Sequence, residues 1–462
     1  MMEFAEKLVC ILLSFGILLN AIAVRRYVGA WSAPAAMYCL FWFGYTFIPL
    51  AVLPTVPANP LAILFILLSG LAFSVGVFTR RWYVAWRVNA LNEGQAGQIY
   101  DTPFLASAFY ASAIIGIGCI LVDMVLQGVS LSDLSNNLLG SAGAYIERRY
   151  SGDLVANLFG QAGNVLSYLA ASLGGLIIAG KRKLMSRVTV TAAAMIPSLV
   201  VMLAQGAKGM LFLSIAMFVA GTIVRRVHSG DRKIFNRKIA VQSLGYFAIL
   251  IPIVTISFIS RGLQEERLDT LFRPLLRYYA SYTSGHLYAF SDWFTSYTGG
   301  LSRQFYALEH QSYGFYTVMS IFQMFGDNRY VPPGVYAEYF QYSDFLQSNI
   351  FTYFRGLITD FGLFGSLALI AVASALVHDF YYRLVSNRRS YFAASFYIFL
   401  IGYFYTSFII SLLIWDTPYL VLAATWVVLI INSMRFQPQS SRVASASWYS
   451  GRAGESGARG GL

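Results

Sequence analysis

Charge is what this sequence has least of: Asp, Glu, Lys and Arg make up 12% of its 462 residues, about half the fraction of an ordinary soluble domain. That scarcity, beside 57% apolar residues, excludes a soluble enzyme, a disordered chain and a secreted disulfide scaffold. Cysteine is nearly missing as well. Cys10, Cys39 and Cys119 all fall in apolar runs, without metal-ligand spacing or the even count of a disulfide framework, and read as packing residues. There is no phosphate-binding loop, dinucleotide fingerprint or hydrolase elbow, and no His, Asp or Glu grouping with metal spacing, so neither nucleotide, metal nor other cofactor is expected. Fixed-period repeats are absent too.

What the sequence has is long apolar runs. A bilayer core needs roughly 20 such residues per helix, and eleven runs approach that length: 8–24, 31–53, 60–79, 103–127, 155–180, 188–206, 209–224, 239–260, 356–377, 391–414 and 417–434. The expected fold is an all-α polytopic membrane protein. Residues 1–260 hold helices 1 to 8, 261–355 one long loop, 356–434 helices 9 to 11, and 435–462, rich in Ser, Gly and Arg, a disordered tail. Alternate loops collect 22 of the 33 Lys and Arg, which by the positive-inside rule makes that side cytoplasmic. The N-terminus and the long loop are then expected outside and the tail inside. This split accounts for the net charge of +12 without nucleic acid. Lys7, the run after it and "AIA" at 21–23 imitate a signal peptide, but Glu3, Glu6 and the Arg25–Arg26 pair argue against cleavage.

The long loop carries 13 of the 31 tyrosines. Aromatic faces stack on sugar C–H faces, and phenols bond hydroxyls, so this enrichment suits a glycan; it equally suits residues at a membrane interface. Arg261, Arg273, Arg277 and Arg303 belong to this loop, which also holds eight acids, so any anion site in it is local. Arg273 and Arg277 stand one helical turn apart, in a helix that Pro274 would help to start, as an anion-binding pair or a solvated face. Lys208, alone in the tight turn between helices 6 and 7, either snorkels or meets the head group of a lipid-linked substrate. His286, followed by Asp292, and His310, preceded by Glu309, are the histidines on this side, each able to take a proton near neutral pH or simply to be solvated.

Where the loop re-enters the membrane, "SNIFTYFRGLITDFGLFGS" (348–366) resembles the signature of the Wzy family, the bacterial O-antigen and oligosaccharide repeat-unit polymerases. In that family an Asn, an aromatic-Thr pair, an Arg and a later Asp-Phe-Gly lead from a large periplasmic loop into a late helix; Asn349, Arg355, Asp360, Phe361 and Gly362 match. "RYYASYTSGHLYAFSDWF" (277–294) is similar to the family's aromatic-Gly-aromatic run. The resemblance implies an inner-membrane glycosyltransferase of GT-C-like architecture. It would transfer a growing glycan from undecaprenyl diphosphate to a lipid-linked repeat unit, with a chain-length regulator and a flippase as partners. It places Asn349 and Arg355 at the substrate, with arginine forks neutralising the diphosphate. His286, His310, Asp292 and Asp360 are then the candidate bases for the acceptor hydroxyl. The acidic pair that many GT-C enzymes show in the first outer loop has no counterpart in "PTVPAN" (54–59). Two rivals stay open: an O-antigen ligase using the same donor, and a lipid-linked oligosaccharide flippase or exporter without chemistry, whose paired inverted halves the single late loop does not suggest.

Overall fold

The structure is a computed structural model that describes residues 2–91, 98–130, 154–181, 183–232, 250–259, 271–307, 311–332, 334–387 and 389–435, with isolated residues between 143 and 151 and residue 248. It is an all-α, multi-pass membrane protein. Among the described residues nine helices are long and apolar enough to cross a bilayer, and two shorter apolar helices accompany them. In chain order the elements are α1 (Met2–Val28), α2 (Pro34–Val52), α3 (Pro60–Ser74, prolonged by a 3-10 turn to Thr79), α4 (Trp82–Leu91), α5 (Pro103–Leu126), α6 (Leu158–Ile178), α7 (Leu184–Gln205) and α8 (Lys208–His228). There follow the short α9 (Leu250–Ile259), then α10 (Phe272–Tyr297), α11 (Phe315–Met324), the strands β1 (Phe340–Tyr342) and β2 (Leu346–Ser348), and α12 (Thr352–Ser386), α13 (Tyr391–Thr406) and α14 (Asp416–Arg435). The first part of the expected eighth span and the tail beyond Arg435 lie outside the described residues.

Local chemistry sets the helix starts. Proline opens α2, α3 and α5, where its missing N–H is one the helix would leave unpaired anyway. Asn59 and Thr102 cap the latter two by accepting from Leu61 N at 2.8 Å and Leu105 N at 3.2 Å. The tight turn between α7 and α8 turns on Gly206, whose φ of +66° is a left-handed conformation only glycine adopts freely. Inside the bundle, Gly175 on α6 and Gly221 on α8 press against each other's helices with no room for a Cβ, the small-residue contact that membrane helices use.

The connections sort to two ends. At one end Asn89 of α4 reaches the carbonyls of Val227 and Val385, Trp86 Nε1 donates to Val28 O, and Asn432 Nδ2 to Ile99 O, so the basic connections meet there. At the other, Lys7 Nζ donates to Leu53 O, Val56 O and the Tyr288 hydroxyl at 3.0, 2.7 and 2.8 Å, tying α1 to the α2–α3 turn and to α10.

The expected long loop is mostly ordered structure. Its described part, 271–355, joins the first residues of α12 in a cap of two helices and an antiparallel hairpin with Gln341 opposite Gln347. α12 is broken at Gly362 (φ +68°, ψ 179°), which separates a buried stretch from Thr352 to Phe361 from an unbroken helix to Ser386. The candidate ninth span, Thr352–Ser386, contains the expected 356–377, while the tenth helix stops at Thr406 rather than 414, with a short 3-10 turn following at Leu412–Ile414. All three cysteines are free, Cys10 and Cys39 buried.

Candidate functional site

α10 organises the cap. It starts at Phe272, with Pro274 in its first turn as expected, and ends at Tyr297 before Gly299. Asp292, near its end, accepts from the backbone N–H of Arg303 (2.8 Å) and Gln304 (3.2 Å) and from the Tyr306 hydroxyl (2.9 Å). One carboxylate thus folds the chain after α10 back onto it. Burial, with the Asp292 charge beside it, pushes the Tyr306 hydroxyl above its ordinary range, so it stays a donor.

Tyr306 is one wall of a box around Arg355. The guanidinium carbon lies 3.9 Å from the Tyr336 ring centroid, 4.4 Å from Phe351, 5.6 Å from Trp293 and 5.7 Å from Tyr306. Its Nη2 donates to both carboxylate oxygens of Glu338 at 3.0 Å, while Nη1 has no hydrogen-bond partner among the described residues. The residue is 3% exposed. Removed from water, the charge is stabilised by Glu338 and by the ring faces, which attract a cation. Asp360 is not its partner. That carboxylate, fully buried, accepts from the Ser312 hydroxyl (2.5 Å), the backbone N–H of Tyr316 (3.1 Å) and the Thr317 hydroxyl (2.5 Å). An anion on the opening turn of α11 meets that helix's unpaired amides, so Asp360 caps it.

His286 is buried against Tyr45 of α2 and Phe408. Its Nε2 donates to Tyr45 O at 2.9 Å, and Nδ1 has no hydrogen-bond partner among the described residues. Burial pulls the imidazole down to about 4, so it is neutral at physiological pH. Asn349 is half-buried, its amide against Gly334, whose φ of +93° and closeness both exclude a side chain. His310 and Arg261 lie outside the described residues.

The remaining cations face outward or sit at the seam between cap and bundle. Arg273 and Arg277 are exposed on α10; Arg277 Nη2 donates to the neutral side chain of Gln347 at 2.8 Å, and Arg273 has no acidic partner among the described residues. Arg303 is exposed, its guanidinium 4.9 Å from the Tyr342 ring. Lys208 opens α8 and is only 5% exposed, its Nζ lying 4.0 Å from the Phe258 ring centroid and 5.2 Å from that of Tyr282.

The candidate residues thus fall into two sets. Asp292, Asp360 and Arg355 are engaged in holding the cap together, and His286 in seating α10 on α2. Arg273, Arg277 and Arg303 keep charge where an anionic ligand can reach it, whereas Lys208 is buried against the Phe258 and Tyr282 rings. The tyrosines divide likewise: Tyr288, Tyr306, Tyr336 and Tyr353 are buried, while Tyr313, Tyr330 and Tyr339 are exposed. Sequence reasoning missed Glu338, Trp293 and Tyr336 around Arg355, and the Lys7–Tyr288 contact; none has a spacing signal, since each depends on segments far apart in the chain. No family model, no curated protein and no solved structure matches this chain.

Proposed function

We propose that this chain is a membrane glycosyltransferase that polymerises undecaprenyl-diphosphate-linked repeat units at the face of the cap, in the periplasm. The observation that carries the reading is the exposed Arg273–Arg277 pair on α10, beside a cap with exposed aromatic rings. A lipid diphosphate reaches an enzyme at the depth of the membrane boundary, and its glycan projects into the aqueous layer above. Cations at the boundary and aromatic faces above it match those two halves.

In the proposed reaction the acceptor's sugar hydroxyl attacks the anomeric carbon of the donor. The C1–O bond to phosphate breaks, its electron pair leaves on undecaprenyl diphosphate, and the hydroxyl proton passes to solvent or to the departing phosphate. Arginine forks on that diphosphate stabilise the charge as it develops. Asp292, Asp360 and His286 support this indirectly, by fixing the cap that presents the cations.

Deleting the gene tests the reading: surface polysaccharide should stop at a single repeat unit. Purified protein in lipid should extend lipid-diphosphate repeat units without added nucleotide, and activity should survive a chelator. Full-length polysaccharide in the deletion strain overturns the assignment; polymer retained on undecaprenyl diphosphate but lost from the lipid A core points to a ligase instead.

A further inference from the structure

At the end of the bundle opposite the cap, the ends of α1 and α3 leave a cleft of about 580 Å³ lined by Tyr27, Phe78, Thr79, Arg80, Arg81, Trp82 and Tyr83. That volume lies in the range of small-molecule sites, roughly 300–1,000 Å³. Its floor is tightly held. Gly76, just before it, abuts Ser374 on α12 with no room for a Cβ, Trp82 Nε1 donates to Val77 O at 2.7 Å, and the Trp82 ring is buried.

The rim is built differently. Tyr27 and Phe78 meet edge to face at 5.1 Å and, with Tyr83, stay more than half exposed. Three large aromatic rings left open around a pair of arginines, where an apolar helix ends, are the arrangement of a bilayer interface. The arginines are unequal: Arg80 pairs with Asp379 on α12, whereas Arg81 is exposed and has no acidic partner among the described residues. Among the described residues the cleft therefore holds one guanidinium fork without an acidic partner. Leading away from it along α3 into the apolar zone, Leu71, Val75 and Phe78 are exposed at spacings of four and three, a single helical face.

We propose that this cleft binds the phosphate head group of an anionic glycerophospholipid. Arg81 forks the phosphate, Arg80 adds a second cation, the tyrosine hydroxyls meet the glycerol, and an acyl chain runs down the Leu71–Val75–Phe78 face. A site for a soluble anion has no use for that apolar track, and a zwitterionic lipid would bring its own cation against Arg81. The site is independent of the glycosyl-transfer reading, since it lies at the other end of the molecule.

The test uses full-length protein, delipidated in neutral detergent and titrated in mixed micelles with phosphatidylglycerol, with phosphatidylcholine, or with inorganic phosphate at equal concentration. Native mass spectrometry counts lipid adducts and thermal unfolding reports linkage. Phosphatidylglycerol should bind and raise Tm by several degrees; phosphatidylcholine and inorganic phosphate should do neither. Arg81→Gln should weaken phosphatidylglycerol binding about tenfold or more, leave the lipid-free Tm unchanged because the residue is exposed, and exceed the effect of Arg389→Gln at another exposed arginine of the same end. Equal binding of phosphatidylcholine, equal stabilisation by inorganic phosphate, or unchanged phosphatidylglycerol affinity in Arg81→Gln overturns the proposal.

Discussion

Replacing Glu338 by Gln keeps the side chain's shape and removes its charge, leaving the Arg355 guanidinium buried among four aromatic rings without a counter-ion. Removing one partner of a buried pair costs about 3–5 kcal/mol. The Arg355 side chain is 4% exposed and that of Glu338 22%, so partial solvation of the acid places the expected loss near the lower figure. About 3 kcal/mol is roughly a hundredfold rise in the population whose cap has come away from α12. Limited proteolysis should then cut the cap between its two helices far faster than in the parent, with Tm lowered by several degrees and glycan transfer falling in parallel. Glu338→Leu combined with Arg355→Met removes both charges and should regain more than 1 kcal/mol relative to either single variant, because the pair acts as a unit. Arg355→Ala alone should behave like Glu338→Gln. If instead Glu338→Gln keeps the parent's Tm and protease resistance and binds donor more tightly, the guanidinium is a ligand for the diphosphate and the latch argument is refuted.

Arg273→Gln with Arg277→Gln should raise KM for the lipid-diphosphate donor tenfold or more and leave Tm unchanged, as both side chains are exposed; an unaltered KM would remove them from the site. Burial depresses His286 to about 4 in the folded protein, below roughly 6.5 when unfolded, so below that upper value the unfolded state takes up the proton. Its share of stability is therefore complete above about 6.5 and lost as pH falls from there to about 4; His286→Gln should show a shallower loss of Tm over that interval than the parent. Reporter fusions at residue 320 and at the C-terminus should report opposite compartments, the former extracytoplasmic, from the uneven distribution of Lys and Arg. Both in one compartment would break the topology.

The membrane part was legible because hydropathy acts over a whole helix: each expected run has an apolar helix among the described residues, the eighth over Leu250–Ile259. The closely spaced sixth and seventh runs part at Gly206, a residue type that favours a left-handed turn. The cap was harder. α10 carries arginines and many tyrosines, so its mean character is that of a polar loop, and only the Arg273–Arg277 spacing and Pro274 marked a helix. The family resemblance singled out Arg355, Asp360 and Asp292, yet their partners were beyond reach. Glu338 precedes Arg355 by 17 positions across a hairpin, and the donors on Asp360 come from a turn some 45 residues earlier. Such pairings follow from tertiary packing, for which a single sequence holds no period to read.

The contact between Lys7 and Tyr288 also orders events in time. Lys7 meets Leu53 and Val56 as soon as the first helical hairpin is made, but the hydroxyl that completes its set of partners lies 281 residues further on. At roughly 5–20 residues per second of synthesis, the N-terminal hairpin waits on the order of 15–60 s in the membrane before the cap emerges. The earliest part of the chain thus serves as the template on which the latest soluble part is laid, and contacts so distant in sequence form slowly. A ribosome-stalled chain ending near residue 280 should accordingly carry a finished first hairpin whose Lys7 can still be labelled by an amine reagent, and one extended past the cap should lose that reactivity.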